Sequence, residues 1–427
     1  MSAETYAVTP LARPPDAEVT VPGSKSISNR VALLAALAEG PSLLDGMLFS
    51  DDTRHMATAL GGLGVRVEAD EAAARLSIDG CGGRWPRRRA ELFVGNAGTA
   101  MRFLVAALCL GDGTYRIDGT PRMRERPIQE LVDALAGLGG EAVCELGTGA
   151  PPVVVQAHGL AGGRTTLSAA RSSQFLSALL QVAPYAARDV EIALSGAVIA
   201  QPYIDMTLAV MAQWGVAVER DGYRAFHIRA GQRYAARRYA VEPDASSAHY
   251  FWAAAALGGG RVRVPGLSRA SLQGDVQFAA VLERMGAAVT WGDAAIEVRG
   301  RGRLDGISVD LNAISDTAPT LAAIAPFASG PVRIDNVAHL RLQESDRLAA
   351  VATELARLGA RVEERADGLT VWPSPLHGGT VETYDDHRIA MAFALVGLRV
   401  PGVVIKDPGC VAKTFPDYFA RLEGLRR

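Results

Sequence analysis

Five times along this chain a helical stretch closes on the same signature, apolar-x-x-apolar-Gly, and passes into an alternating run. The signature occupies residues 60–64, 135–139, 211–215, 282–286 and 355–359, with Met211 and Trp214 as the apolar pair of the third copy. The closing glycines, Gly64, Gly139, Gly215, Gly286 and Gly359, lie 75, 76, 71 and 73 residues apart. Glycine at that point supplies the left-handed residue that stops a helix. The runs that follow, such as Val65-Arg66-Val67, Val216-Ala217-Val218 and Arg361-Val362-Glu363, alternate like half-buried strands. A last helix around residues 419–425 closes a sixth unit. Helix–glycine–strand junctions occur in any α/β protein, so it is the near-constant spacing that argues for repetition. At 427 residues the chain exceeds what one core serves. The expected fold class is therefore α/β, with two similar domains of three repeats each. Crossings are expected at the proline-containing breaks Val21-Pro22-Gly23 and Val241-Glu242-Pro243-Asp244. They give a first domain of 23–241 and a second of 1–22 plus 242–427, with ligands in the cleft between them.

The bulk properties exclude several function classes. A net charge of −2 creates no global field for nucleic acid or membrane, so any anion site must be a local concentration of cations. The four cysteines, Cys81, Cys109, Cys144 and Cys410, form no CxxC pair. They read as buried thiols in a reducing compartment, the cytoplasm, rather than as a metal site or disulfide frame. Residues 1–20 carry Glu4, Arg13, Asp16 and Glu18 and lack the apolar core of a signal peptide. Apolar stretches such as 103–110 and 389–398 are too short to span a bilayer.

Only three of the 44 cationic residues are lysines: Lys25, Lys406 and Lys413. Lys25 sits in Pro22-Gly23-Ser24-Lys25-Ser26-Ile27-Ser28-Asn29-Arg30, a turn with hydroxyls and two cations opening into an apolar run. Such a helix start offers N–H groups, hydroxyls and positive charge to an anion. A lysine among arginines suggests a compact charge able to exchange a proton. Six further segments are polar and specific: residues 96–102 (Asn-Ala-Gly-Thr-Ala-Met-Arg), 122–127 (Arg-Met-Arg-Glu-Arg-Pro), 171–175 (Arg-Ser-Ser-Gln-Phe), 343–347 (Gln-Glu-Ser-Asp-Arg), 385–388 (Asp-Asp-His-Arg) and 412–416 (Ala-Lys-Thr-Phe-Pro). Each has a plain structural reading. Ser172 or Ser173, and Asp385 or Asp386, could simply cap helices. Glu344, Asp346 and Arg347 could form a solvated first turn, and the arginines of 122–126 an exposed loop tied to Glu125. Together they distribute Lys25, Arg126, Arg347, Arg388 and Lys413 over loops and helix starts of both halves, the layout of a clamp for a small polyanion.

Taken together, these segments resemble the enolpyruvyl transferases, in the branch that takes shikimate 3-phosphate. The similarity runs from Pro22-Gly23-Ser24-Lys25 to the segment 412–418. The resemblance implies two domains of three βαβαββ units closing around two substrates, a monomer, and no metal or organic cofactor. It implies transfer of the enolpyruvyl group of phosphoenolpyruvate (PEP) to the 5-hydroxyl of shikimate 3-phosphate, with release of phosphate, in the pathway to the aromatic amino acids. Glu344 is similar to the family's proton donor, Asp316 to its proton acceptor, and Lys25 belongs to the same catalytic set. Lys25, Gly98, Arg126, Gln174, Arg347, Arg388 and Lys413 match the PEP-binding positions. Lys25, Ser26, Arg30, Ser172, Ser173, Gln174, Tyr203, Asp316, His339 and Gln343 fall at the acceptor-binding ones.

Departures from the family pattern gather around the acceptor's 3-phosphate. Ser172 and Ser173 remain, but Ala200 stands where most relatives have a third serine, His339 where they have asparagine, and Gln343 where they have lysine. Losing the lysine removes a charge-assisted bond. Arg171, just before the serine pair, could replace that charge. Two readings follow: a rebuilt phosphate site with the usual acceptor, or a paralogue of specialised metabolism using unphosphorylated shikimate or a related cyclic hydroxy acid. Phe103 is a further departure, where many relatives have proline, and implies little change in its helix. The sister transferase acting on UDP-N-acetylglucosamine carries a reactive cysteine in the loop equivalent to 121–126, where this chain has Met123. A non-catalytic binder of phosphorylated acids would explain the cations but would have no use for Asp316, Glu344 and Lys413 as an acid–base set.

Overall fold

The structure, a computed structural model, describes residues 4–426. All five closing glycines take positive φ, from 82° to 95°. At each, the next residue's N–H reaches back to the carbonyl five positions earlier: Val65 to Leu60, Gly140 to Leu135, Val216 to Met211, Ala287 to Leu282 and Ala360 to Leu355, at 2.8–3.2 Å. This closure satisfies a carbonyl the helix leaves open, and it needs a left-handed residue, a conformation glycine adopts without steric cost.

Each repeat forms its own sheet. Six sheets are present among the described residues, five of four strands and one of three. One repeat shows the plan: strand Arg89–Phe93, helix Gly98–Leu108, strand Asp112–Asp118, helix Gln129–Gly137, then strands Glu141–Cys144 and Val153–His158. The first two strands pair in parallel, and the last two add antiparallel in reversed order. The helix between the parallel strands is the crossover such a pair requires. Three sheets are completed from a distance. Arg238–Ala240 lies parallel to Glu39–Asp45, Asp16–Glu18 lies parallel to Arg261–Pro265, and Thr5–Ala7 closes the last sheet against Val403–Lys406.

By its internal contacts the chain divides into two compact units, one of residues 23–241 and one joining the stretch up to Pro22 to the residues from Glu242 onward. Within each, the first helix of every repeat is an inner helix. Lys25–Leu37, Gly98–Leu108 and Ser173–Val182 serve one unit; Ala245–Gly258, Ala318–Ile324 and His387–Gly397 serve the other. Every residue of Gly98–Leu108 and of His387–Gly397 is buried. The second helix of a repeat, such as Arg347–Arg357, is amphipathic and covers the outside.

One strand expectation is corrected. Val216-Ala217-Val218 forms no ladder, and the strand begins only at Glu219. The Gln232 side chain takes both backbone bonds of Ala217 instead, accepting from its N–H at 2.8 Å and donating to its carbonyl at 3.1 Å. None of the helices among the described residues is long and apolar enough to cross a membrane.

Candidate active site

The six inner helices begin in polar motifs. They start just after Ser24, Asn96-Ala97, Ser172, Asp244, Asp316-Thr317 and Asp386. A helix N-terminus presents unsatisfied N–H groups and the positive end of the dipole, so the repeat architecture itself creates sites that favour anions.

In the unit of residues 23–241, Ser24 caps its helix by accepting from the Ile27 N–H at 3.4 Å, and Lys25 is the first helical residue. Its Nζ lies 3.4 Å from Oδ2 of the buried Asp52. One turn on, Arg30 is buried. Nε donates to Thr207 Oγ1 at 2.8 Å, Nη2 to Ser177 Oγ and the Tyr203 carbonyl, and Nη1 to the Ser26 carbonyl. Its guanidinium carbon sits 5.2 Å from the centre of the Phe103 ring. None of these groups is a carboxylate, and burial pulls the Arg30 pKa down to about 10. A desolvated cation surrounded by neutral acceptors is poised for an anionic ligand. Ser26 and Tyr203 join this network through their carbonyls.

The arginine-rich loop separates into three roles. Arg122 pairs with Glu125, Arg124 pairs with Asp118, and only Arg126 is buried. Arg126 Nη1 donates to both the carbonyl and Oδ1 of Asn96 at 3.0 Å. A Cβ on Gly98 would stand 2.6 Å from Arg126 Nη2 and 2.9 Å from Arg102 Nη1, so glycine here makes room for the guanidinium. Ser172 caps the next inner helix, accepting from the Gln174 N–H at 3.2 Å, while Ser173 is buried beside it. Arg171 is exposed and is held by Glu130 at 3.0 Å. Ala200 occupies the cap position of Gln201–Gln213 in a left-handed conformation, with no side-chain bond to the helix.

The other unit gathers charge at the buried Arg347. Its Nε meets Asp386 Oδ2 at 2.8 Å, Nη2 meets Glu344 Oε2 at 2.8 Å and Asp386 Oδ1 at 3.2 Å, and Nη1 meets Asp316 Oδ1 at 3.1 Å. Burial alone would lower the Arg347 pKa; Asp386, Glu344 and Asp316 outweigh it and raise it. Arg388 holds the other oxygen of Asp316 at 2.5 Å and lies 3.5 Å from Tyr250 Oη. Lys413 Nζ is 3.9 Å from Glu344 Oε1. The structure therefore brings Asp316, Glu344, Arg347, Arg388 and Lys413 into one cluster. His339 is nearby, its Nε2 2.8 Å from Ser315 Oγ, and burial lowers its pKa, so it is neutral at pH 7. It offers a hydrogen bond rather than a charge. Gln343 is half-buried at the start of this segment.

Sequence reading missed three members of this cluster. Tyr250 lies against Arg388, and Ser246 donates to the buried Asp275, whose carboxyl is pushed up to about 7 chiefly by burial, then by the charge of Asp316. The repeat offered a signal. Val241-Glu242-Pro243-Asp244-Ala245-Ser246 opens the first inner helix of its unit as Val21-Pro22-Gly23-Ser24-Lys25-Ser26 opens that of the other.

Five four-stranded repeats and a sixth of three strands in two units, with Asp316 and Asp386 at inner helix starts held on the buried Arg347, define an enolpyruvyl-transferase class of enzyme. The family model of EPSP synthase (3-phosphoshikimate 1-carboxyvinyltransferase) matches residues 12–422. The chain belongs to that family. A 3-phosphoshikimate 1-carboxyvinyltransferase of Trichormus variabilis is 50% identical over 418 residues, 98% of each chain. One from Aeromonas salmonicida is 50% identical over 411 residues, 96% of each. The solved EPSP synthase of Acinetobacter baumannii superposes with a TM-score of 0.81 at 26% identity, covering 99% of this chain and 98% of that one.

Proposed function

We propose that this enzyme transfers the carboxyvinyl group of PEP to the 5-hydroxyl of shikimate 3-phosphate and releases inorganic phosphate. The observation that carries the reading is Arg347, one buried guanidinium bonded at once to Glu344 and Asp316. These are the two carboxyls that the family resemblance assigns to proton transfer, and a simple binding protein has no need of them. The names of the relatives at 50% identity point to the phosphorylated acceptor.

In this reading Glu344 protonates the PEP methylene, leaving an oxocarbenium-like carbon that the acceptor hydroxyl attacks as Asp316 takes its proton. Glu344, now a carboxylate, takes a methyl proton from the resulting ketal, the carbon–oxygen bond to phosphate breaks, and phosphate leaves with the proton that Asp316 took. Fixed cations stabilise the charge that develops on the phosphate and carboxylate. Lys25, Arg126, Arg347, Arg388 and Lys413 are those cations, with Gln174 as a neutral partner and Gly98 leaving the space. In this reading the negative charge of PEP beside Glu344 favours the protonated, donating form of that carboxyl. Arg30, Lys25 and Ser26 take the acceptor's carboxylate side, while Ser172, Ser173, Tyr203, His339 and Gln343 line its remaining polar groups.

A second reading, with unphosphorylated shikimate as acceptor, is favoured by Ala200, Gln343 and a neutral His339 at the phosphate positions, and by the hold of Glu130 on Arg171. Phosphate release measured with PEP plus shikimate 3-phosphate, and in parallel with PEP plus shikimate, separates the two. The expected result is a large preference for the phosphorylated acid; the reverse preference overturns the main reading, and release with neither overturns both.

A further inference from the structure

Arg347 and Glu354 are seven residues apart on one helix, Arg347–Arg357, and therefore share a face two turns apart. Glu354 is wholly buried. Its Oε1 accepts from Tyr384 Oη at 2.7 Å, its Oε2 accepts from the Glu382 N–H at 3.1 Å, and Arg357 Nε stands 3.3 Å away. A buried carboxylate is costly unless it is paired and hydrogen-bonded, so these bonds are what keep Glu354 in place, and the reaction gives it no part. The segment it holds is unusual. Tyr384 and Asp385 are successive non-glycine residues in the left-handed region, at φ 56° and 53°. Side chains disfavour that conformation, and it persists only where the surroundings over-determine it. The next residue is Asp386, the carboxylate that grips Arg347 through both oxygens and caps the His387–Gly397 helix.

One helix thus brackets residues 382–386, with its cation at one end and its carboxylate at the other. We propose that Glu354 is a positioning residue: by fixing the Glu382 N–H and the Tyr384 hydroxyl, it holds the strained Tyr384–Asp385 pair in the conformation that delivers Asp386 to Arg347. Through Arg347 it sets the placement of Glu344 and Asp316. The Asp386 N–H closes this turn locally on the Thr383 carbonyl at 2.8 Å, and Glu354 adds the hold from the neighbouring helix. Glycine would occupy these positions freely, whereas this chain uses side chains and a buried tether.

The kinetic consequence rests on the carboxyvinyl-transfer reading; the structural one does not. Glu354→Gln keeps the shape but leaves a single acceptor oxygen for the Tyr384 hydroxyl and the Glu382 N–H. It is expected to lower kcat/KM for PEP by about tenfold. It should also speed amide exchange at Arg388, whose N–H is bonded to Asp386 Oδ1 at 3.0 Å. Adding Asp385→Gly removes part of the left-handed cost, and the double variant is expected to recover both activity and exchange protection. Tyr384→Phe should reproduce the single variant in weaker form. Unchanged exchange at Arg388 in Glu354→Gln overturns the proposal. So does a loss of melting temperature that Asp385→Gly leaves without recovery of protection, since Glu354 would then be a packing group only. If the wild-type chain shows no transfer at all, the functional reading has failed and the exchange measurements still decide this one.

Discussion

Asp386 receives Arg347 through both carboxylate oxygens, at 2.8 Å and 3.2 Å, with neither side chain more than 2% exposed. The same carboxylate caps the His387–Gly397 helix by accepting from the Arg388 N–H. Breaking a buried ion pair by removing one partner leaves an uncompensated charge. Asp386→Ala is therefore expected to destabilise the unit by about 3–5 kcal/mol, with a further loss of about 1 kcal/mol from the cap. Asp386→Asn keeps the capping oxygen and should lose less. Urea unfolding of the full chain, followed transition by transition, measures both. An Ala variant indistinguishable from wild type would show that Glu344 and Asp316 suffice to hold Arg347.

Gly98 is placed so that its α-carbon faces Arg126. The guanidinium end of a long side chain usually yields to a new methyl group, but Arg126 is buried and its Nη1 is committed to Asn96. Gly98→Ala therefore displaces a group assigned to PEP. A shift of about 1 Å in a positioning group can cost on the order of a hundredfold in rate, so KM for PEP should rise tenfold or more by that scale. KM for the acceptor should move little, and steady-state kinetics with each substrate varied in turn reads the contrast. Equal effects on both substrates would mean that the methyl group disturbs the helix rather than Arg126.

Much of this arrangement was legible in the residues because it is built locally. A helix stop is encoded by one glycine and the four residues before it, and five such stops at near-constant spacing give the repeat. Site residues in dense polar segments, such as Glu344-Ser345-Asp346-Arg347, stand out for the same reason. What stayed hidden depends on contacts made far apart in sequence. Asp275 becomes unusual only because the fold buries it with Ser246 and near Asp316. Phe103, at a departure from the family pattern, acquires meaning only under the Arg30 guanidinium. Val216-Ala217-Val218 alternates like a strand, and nothing local announces that the Gln232 amide replaces its partner.

Asp275 should leave a signature in stability against pH. Its carboxyl is pushed up to about 7 by burial and by the neighbouring charges of Asp316 and Asp244, against the opposing pull of Ser246 and Arg388. In the unfolded chain it titrates near the ordinary value of about 4. Between those two values the folded state holds a proton that the unfolded state has lost. The contribution of this group is thus fully present below about pH 4 and is lost as pH rises through about 7. Asp275→Asn cannot titrate. The wild-type advantage over Asp275→Asn, read from melting temperatures, should shrink steadily from pH 4 to 7 and then level off. A difference independent of pH would place the Asp275 carboxyl in the ordinary range.

Ala200 carries a backbone cost that its side chain does nothing to offset. It caps the Gln201–Gln213 helix at φ 49° and ψ 46°, and offers no side-chain acceptor to the first turn. An L-residue in the left-handed region costs about 1–2 kcal/mol, and alanine is a poor cap compared with glycine or serine. Glycine removes the steric cost but gives back about 0.4–1 kcal/mol through the freer unfolded chain. Ala200→Gly should therefore raise stability by about 0.5–1 kcal/mol, a rise of about 1–4 °C in the melting transition of a unit of this size. Ala200→Ser keeps the strained conformation and should gain less stability, while restoring the hydroxyl most of the family places there. Its effect belongs to the acceptor. KM for shikimate 3-phosphate should fall in Ala200→Ser and stay unchanged in Ala200→Gly, and a fall in both would trace the effect to the backbone rather than to the hydroxyl.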